Sequence, residues 1–85
     1  MSVRPHVLGL VARFAPGAPE PAALVEEARL ARDLGFDSLR IVELLLACQE
    51  GFAAGLPIEE LLAGPPLTVG HVVAHVAAHA APDLP

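Results

Sequence analysis

The run Leu34-Gly35-Phe36-Asp37-Ser38-Leu39 places a serine hydroxyl just after a glycine-containing turn and at the start of an apolar stretch suited to a helix. The first backbone N–H groups of a helix have no partner within it, and the peptide dipoles add partial positive charge there. A phosphate ester attached at such a point is therefore favoured. Asp37 and Ser38 are also ordinary helix-capping residues, so a purely structural role competes with the chemical one. Nucleophilic catalysis by Ser38 would need a neighbouring base and an oxyanion hole. The histidines are His6, His71, His75 and His79, near the two ends of the chain, and no Gly-x-Ser-x-Gly elbow is present. A small helical bundle also lacks room for a substrate cleft of ordinary volume.

Two other groups have chemical potential. His71, His75 and His79 recur every four residues and so lie on one face of a helix, where an i, i+4 pair can ligate a metal. With no cysteine or placed carboxylate to complete a ligand set, this stripe reads as a solvated face opposite Val72, Val73 and Val76, and no metal site is expected. Cys48 has no basic neighbour to lower its pKa and reads as a core-edge residue, not a nucleophile. As a single cysteine it excludes a disulfide framework and a cysteine-based zinc site, and it fits a reducing compartment.

The elements that position these residues follow from spacing. Val3, Val7, Leu10, Val11 and Phe14 form one helical stripe, with Ser2 as a cap and Pro5 still within the first turn. Pro16, Gly17, Pro19 and Pro21 end this helix and open a long connection, within which residues 22–33 carry the Ala, Leu, Glu and Arg content of a short helix. Gly35 closes that stretch. A second long helix is expected from Asp37-Ser38 to about Gln49 or Glu50, before Gly51. Leu39, Ile41, Val42, Leu44, Leu45, Leu46, Ala47 and Cys48 make it apolar over far more than one stripe, so part of that surface is available to partners. Residues 57–63 read as a short helix with Pro57 at its first position, Glu59 and Glu60 in its first turn and Gly64 beyond its end. Thr68 caps a last helix over residues 69–80, stopped by Pro82. The fold class is all-α: a small four-helix bundle with three longer helices, a short third helix and a long first loop. It forms a single domain over residues 1–85, with 81–85 as a tail.

Composition narrows the function further. Eighty-five residues allow one modest core, and Phe14, Phe36 and Phe52 are the only aromatics, so that core must consist of Leu, Val, Ile and Ala. The formal net charge of −5, with arginine the only strong cation, argues against nucleic acid as a partner. Residues 61–82 carry no Asp, Glu, Lys or Arg, but Gly64, Pro65, Pro66, Gly70 and three histidines interrupt them, so no membrane span is assigned. No secretory signal opens the chain. The negative charge is concentrated in residues 33–60, where Asp33, Asp37, Glu43, Glu50, Glu59 and Glu60 face only Arg40. A docking surface there would attract a basic partner.

The longer run Arg32-Asp33-Leu34-Gly35-Phe36-Asp37-Ser38-Leu39-Arg40-Ile41-Val42-Glu43-Leu44 resembles the modification site of the acyl carrier protein family. In that family the serine of the Asp-Ser-Leu triplet is esterified with 4′-phosphopantetheine from coenzyme A by a phosphopantetheinyl transferase. The resemblance extends to Glu43, to Phe52 after the second helix, to Leu56-Pro57-Ile58-Glu59-Glu60 and to Thr68-Val69. It covers about residues 1–80, most weakly 15–27. It implies a non-catalytic, free-standing, cytoplasmic and monomeric carrier with phosphopantetheine on Ser38, flanked by Asp37 and Leu39. It further implies that Leu39, Arg40, Val42, Glu43, Leu46 and Glu50 meet partner enzymes while Ile41 and Leu45 turn to the core. Those partners would be the transferase and a ketosynthase, acyltransferase or adenylation enzyme.

Carriers of fatty acid synthesis usually have an acidic residue where Arg40 stands, and more carboxylates near Gln49. Leu-Gly-Phe-Asp-Ser-Leu is closer to carriers of polyketide synthases in secondary metabolism. The implied cargo is a polyketide-type or other acyl chain held as a thioester. An aminoacyl carrier loaded by an adenylation enzyme and an unmodified helical interaction module are the two other readings.

Overall fold

The computed structural model describes residues 3–80, which form four α-helices: α1 (Val3–Phe14), α2 (Ser38–Phe52), α3 (Ile58–Ala63) and α4 (Val69–His79). Among the described residues there is no β-strand, only an isolated antiparallel bridge between Arg29 and Thr68. The all-α four-helix architecture with a short third helix read from the sequence is the one found. The expected Ser2 cap, the Pro82 stop and the tail over 81–85 lie outside the described residues.

Three stripes meet in the core. From α1 come Val7 and Val11, one turn apart and both fully buried; from α2 come Leu44, Leu45, Cys48 and Phe52; from α4 come Val69, Val72 and Val76. Pro5 does not interrupt α1, because the first turn has no N–H bond for it to remove. Each fully buried Val, Leu or Phe contributes about 1.5–3 kcal/mol. No polar or charged side chain is buried among the described residues, and none of their enclosed polar atoms lacks a partner.

α2 does not stop before Gly51 as expected but runs through it to Phe52. A helical glycine costs about 1 kcal/mol relative to alanine, whereas burying the Phe52 ring gains about 1.5–3 kcal/mol, so packing overrides the local preference. The stop is Ala53, in the left-handed conformation at φ 50°, and the N–H groups of Ala53 and Ala54 both donate to the Gln49 carbonyl. The Gln49 side-chain oxygen then accepts from the Leu56 N–H at 3.2 Å, so one residue organises the α2–α3 turn. α3 starts one residue later than expected. Pro57 is its cap residue: its ψ of 71° keeps it outside the helix while its carbonyl accepts from Leu61 at 3.0 Å.

The connection between α1 and α2 overturns the helix expected over residues 22–33. Only a single 3-10 turn, Pro21–Ala23, forms there. The backbone of 26–30 is instead committed to the start of α4: Val69 N–H donates to the Ala28 carbonyl and Gly70 N–H to the Glu26 carbonyl, both at 2.9 Å. Leu30 N–H donates in turn to the Leu67 carbonyl at 2.9 Å. Two of the N–H groups that open α4 without an intrahelical partner are thereby satisfied. The same path buries Leu24 and Leu30, whose spacing of six would put them on different faces of a helix. An ion pair between Arg4 and Glu26 straps this segment to α1.

Candidate functional site

The loop leading into α2 is closed by hydrogen bonds from residues 33–36 back to 29 and 30. Asp33 and Leu34 donate N–H to the Arg29 carbonyl at 2.9 and 3.1 Å, and Phe36 donates to the Leu30 carbonyl at 2.9 Å. The Asp33 carboxylate accepts from the Arg29 N–H at 2.8 Å. Gly35 takes the left-handed conformation at φ 78°, as the sequence required, where a side chain would be strained. Phe36 then inserts into the core and is 4% exposed. Asp37 follows with extended backbone (φ −97°, ψ 177°), so the chain emerges at the surface at Ser38, two residues after its buried anchor.

Asp37 and Ser38 have separate tasks. The Asp37 carboxylate caps α2, accepting from the Arg40 N–H at 2.8 Å. Ser38, the first residue of the helix, is exposed, and its hydroxyl bonds to no described residue. The N–H groups of Ser38 and Leu39 find no acceptor among the described residues. An anion on the Ser38 oxygen would meet these donors and the positive end of the helix dipole. The site therefore suits a phosphate ester.

Beyond Ser38, α2 divides its apolar surface. Leu39 is 68% exposed and Leu46 46% exposed, and with exposed Glu43 and Glu50 they form a stripe spaced four, three and four residues apart. Val42 lies beside the stripe, half-buried, while Leu45 is buried and Ile41 packs half-buried against the core. Arg40 is exposed and also reaches α1. Its guanidinium donates to the carbonyl of Phe14, the last residue of α1, at 3.0 Å. Nothing in the sequence pairs these two residues, 26 positions apart.

The remaining candidates lie elsewhere. His6 packs its ring edge-on against Phe52, with centroids 5.9 Å apart, at the far end of α2 and about 20 Å along the helix from Ser38. His71 has a capping role that the sequence reading missed: its N–H donates to the Thr68 hydroxyl at 3.1 Å and its Nδ1 accepts from the Thr68 N–H at 3.3 Å. The signal was present as Thr-x-x-His, with histidine where Glu or Gln usually stands. His75 and His79 stack at 6.1 Å, and the His79 Nδ1 lies 2.9 Å from the His75 carbonyl. Among the described residues no three or more of His, Cys, Asp and Glu come together as metal ligands. Cys48 is fully enclosed in the core, deeper than the core edge expected of it, and burial pushes its thiol up to about 11. No described helix is long and apolar enough to cross a membrane.

One turn from Ser38, beside Ile41, a recess of about 100 Å³ opens between α2 and the segment from Leu61 to Leu67. It is well below the roughly 300–1,000 Å³ of a ligand pocket. The arrangement thus offers an exposed hydroxyl at a helix start, bonded to no described side chain, and an apolar, acidic stripe leading away from it.

Comparison with known proteins matches residues 7–76 to the family described as phosphopantetheine attachment site. The chain is 43% identical to the acyl carrier protein of Wolinella succinogenes over 56 residues, which is 66% of this chain and 71% of that protein. It is 39% identical to the acyl carrier protein of Helicobacter pylori over 57 residues, 67% of this chain and 70% of that one.

Proposed function

The chain belongs to the phosphopantetheine-attachment family and is a non-catalytic carrier of the acyl carrier protein type; on that premise we propose that Ser38 is the attachment residue and that its cargo is an acyl chain of polyketide type. The observation that supports Ser38 is the division of labour at the start of α2. Asp37 takes the cap, and the neighbouring hydroxyl is left exposed among N–H donors suited to a phosphate. In the transfer reaction the Ser38 oxygen bonds to the phosphorus of coenzyme A that bears the pantetheine. The pyrophosphate bond breaks, the adenosine bisphosphate half leaves, and the hydroxyl proton passes to a base on the transferase. When attached, the group supplies a flexible arm ending in a thiol, which holds acyl groups as thioesters.

The protein's own residues present this arm to enzymes. Leu39 and Leu46 offer apolar contact, with Val42 at their edge, and Glu43 and Glu50 offer charge to Arg and Lys on a phosphopantetheinyl transferase and then on a ketosynthase or acyltransferase. Contacts of this kind speed encounter and weaken with salt, which suits a carrier that must also leave. A cytoplasmic location, where coenzyme A and reduced thiols coexist, and a single monomeric domain complete the reading. Intact mass before and after incubation with coenzyme A and a broad-range transferase tests it. A gain of one phosphopantetheine is expected, and Ser38→Ala should abolish it; a gain that persists in the variant assigns the attachment elsewhere. Loading trials with acyl and aminoacyl donors on the modified protein then decide the cargo, aminoacyl uptake through an adenylation enzyme being the result that overturns the acyl reading.

A further inference from the structure

Two contacts join the end of α1 to the turn that presents Ser38. The Arg40 guanidinium donates to the Phe14 carbonyl at 3.0 Å. The Pro16 ring lies 3.7 Å from where a β-carbon would stand on Gly35, the left-handed residue of the turn. Residues 14–16 thus brace residues 35–40 from one side, while Phe36 anchors them in the core.

The Phe14 carbonyl is one of the groups at the end of α1 that cannot be bonded within the helix, and it sits at the negative end of the dipole, where a cation is favoured. Helical geometry of about 100° per residue puts Arg40 some 100° around α2 from Leu39. It lies on the flank shared with Ala47 and Gly51, which line the α1–α2 groove together with Gly9 and Arg13. The Arg40 side chain is therefore directed to α1 and away from the Leu39–Glu43–Leu46–Glu50 stripe.

We propose that Arg40 is a positioning residue for modification of Ser38: it ties the first turn of α2 to the end of α1 and so fixes the angle at which the serine is offered to the transferase. This rests on Ser38 being the attachment residue. Without the tie the turn samples other orientations, and only the competent fraction is bound. The loss then falls on the KM for the carrier and not on kcat. With the guanidinium held within the chain, the partner-facing stripe is left acidic and apolar.

Transferase kinetics on wild type, Arg40→Ala and Arg40→Lys, followed by intact mass, test the proposal alongside amide hydrogen exchange. Loss of one solvent-exposed hydrogen bond predicts a rise of about three- to tenfold in KM for Arg40→Ala. That rise should be the same at low and high salt, and exchange should be faster at the hydrogen-bonded amides of Phe36, Arg40 and Ile41. Lysine keeps a donor and the charge and should bring the KM most of the way back to that of wild type. Equal KM for wild type and Arg40→Ala, or unchanged exchange at Phe36, Arg40 and Ile41, overturns the brace. A loss that disappears at high salt assigns Arg40 to the transferase contact and overturns it too. Absence of any mass gain in wild type instead defeats the assignment of Ser38, which separates the two failures.

Discussion

Gly70 and Glu26 meet backbone to backbone: the Gly70 N–H donates to the Glu26 carbonyl at 2.9 Å, and a β-carbon on Gly70 would stand 3.2 Å from both that oxygen and the Glu26 β-carbon. Only glycine lets the turn at Glu26 lie this close to the first turn of α4. That segment cannot retreat easily, because Val69 bonds to Ala28, Leu30 bonds to Leu67, and Arg4 pairs with Glu26. Gly70→Ala should therefore destabilise the protein by about 1 kcal/mol, even though alanine is the better helix former. Urea denaturation with a lowered midpoint and unchanged slope is the expected result.

Gly9 and Gly51 give the opposite expectation. Both lie within helices, and a β-carbon on either would meet nothing within 4 Å. Gly9→Ala and Gly51→Ala should each stabilise the protein by about 0.5–1 kcal/mol through helix propensity and a less flexible unfolded chain. The same denaturation experiment reads this as a raised midpoint.

Cys48 should make the protein sensitive to alkali. Burial raises its thiol from the ordinary 9.0 to about 11. Below pH 9 the proton is held in both folded and unfolded chains, and the stabilisation is fully present. Between about pH 9 and 11 the unfolded chain releases the proton while the folded one keeps it, so stability falls as pH rises. The sequence contains neither Lys nor Tyr, so no other side chain titrates in that window. Melting temperature against pH should decline over this range in wild type and stay flatter in Cys48→Ala. A thiol reagent at neutral pH should react only at the rate of unfolding.

Glu43 and Glu50 are exposed on the stripe proposed above to meet partner enzymes. Glu43→Gln with Glu50→Gln should slow association with a basic partner enzyme several-fold at low salt and change little at high salt, with the melting temperature nearly constant. Transferase association rates at two salt concentrations measure this.

Local sequence was enough to specify the four α-helices and to put Ser38 at the start of one of them. The spacing of Val7, Leu10 and Val11, the Thr68 cap before Val69, and Gly35 ahead of Asp37-Ser38 are local signals, and local signals suffice for a helix face, a cap or a left-handed turn. The serine at a helix start was legible for the same reason: its neighbours along the chain create its surroundings. Tertiary structure decided three things that those neighbours cannot encode. Residues 22–33 gave up helical bonds because acceptors were needed some forty residues further on, at Val69 and Gly70. α2 passed through Gly51 because the core had room for Phe52. Arg40 reached the Phe14 carbonyl because folding brought the end of α1, with its unbonded carbonyl, beside the first turn of α2. In each case a contact with a segment distant along the chain, through a hydrogen bond or the burial of a ring, settled what local preferences of about 1 kcal/mol or less could not. Contributions of that size exist only once the chain has folded around them.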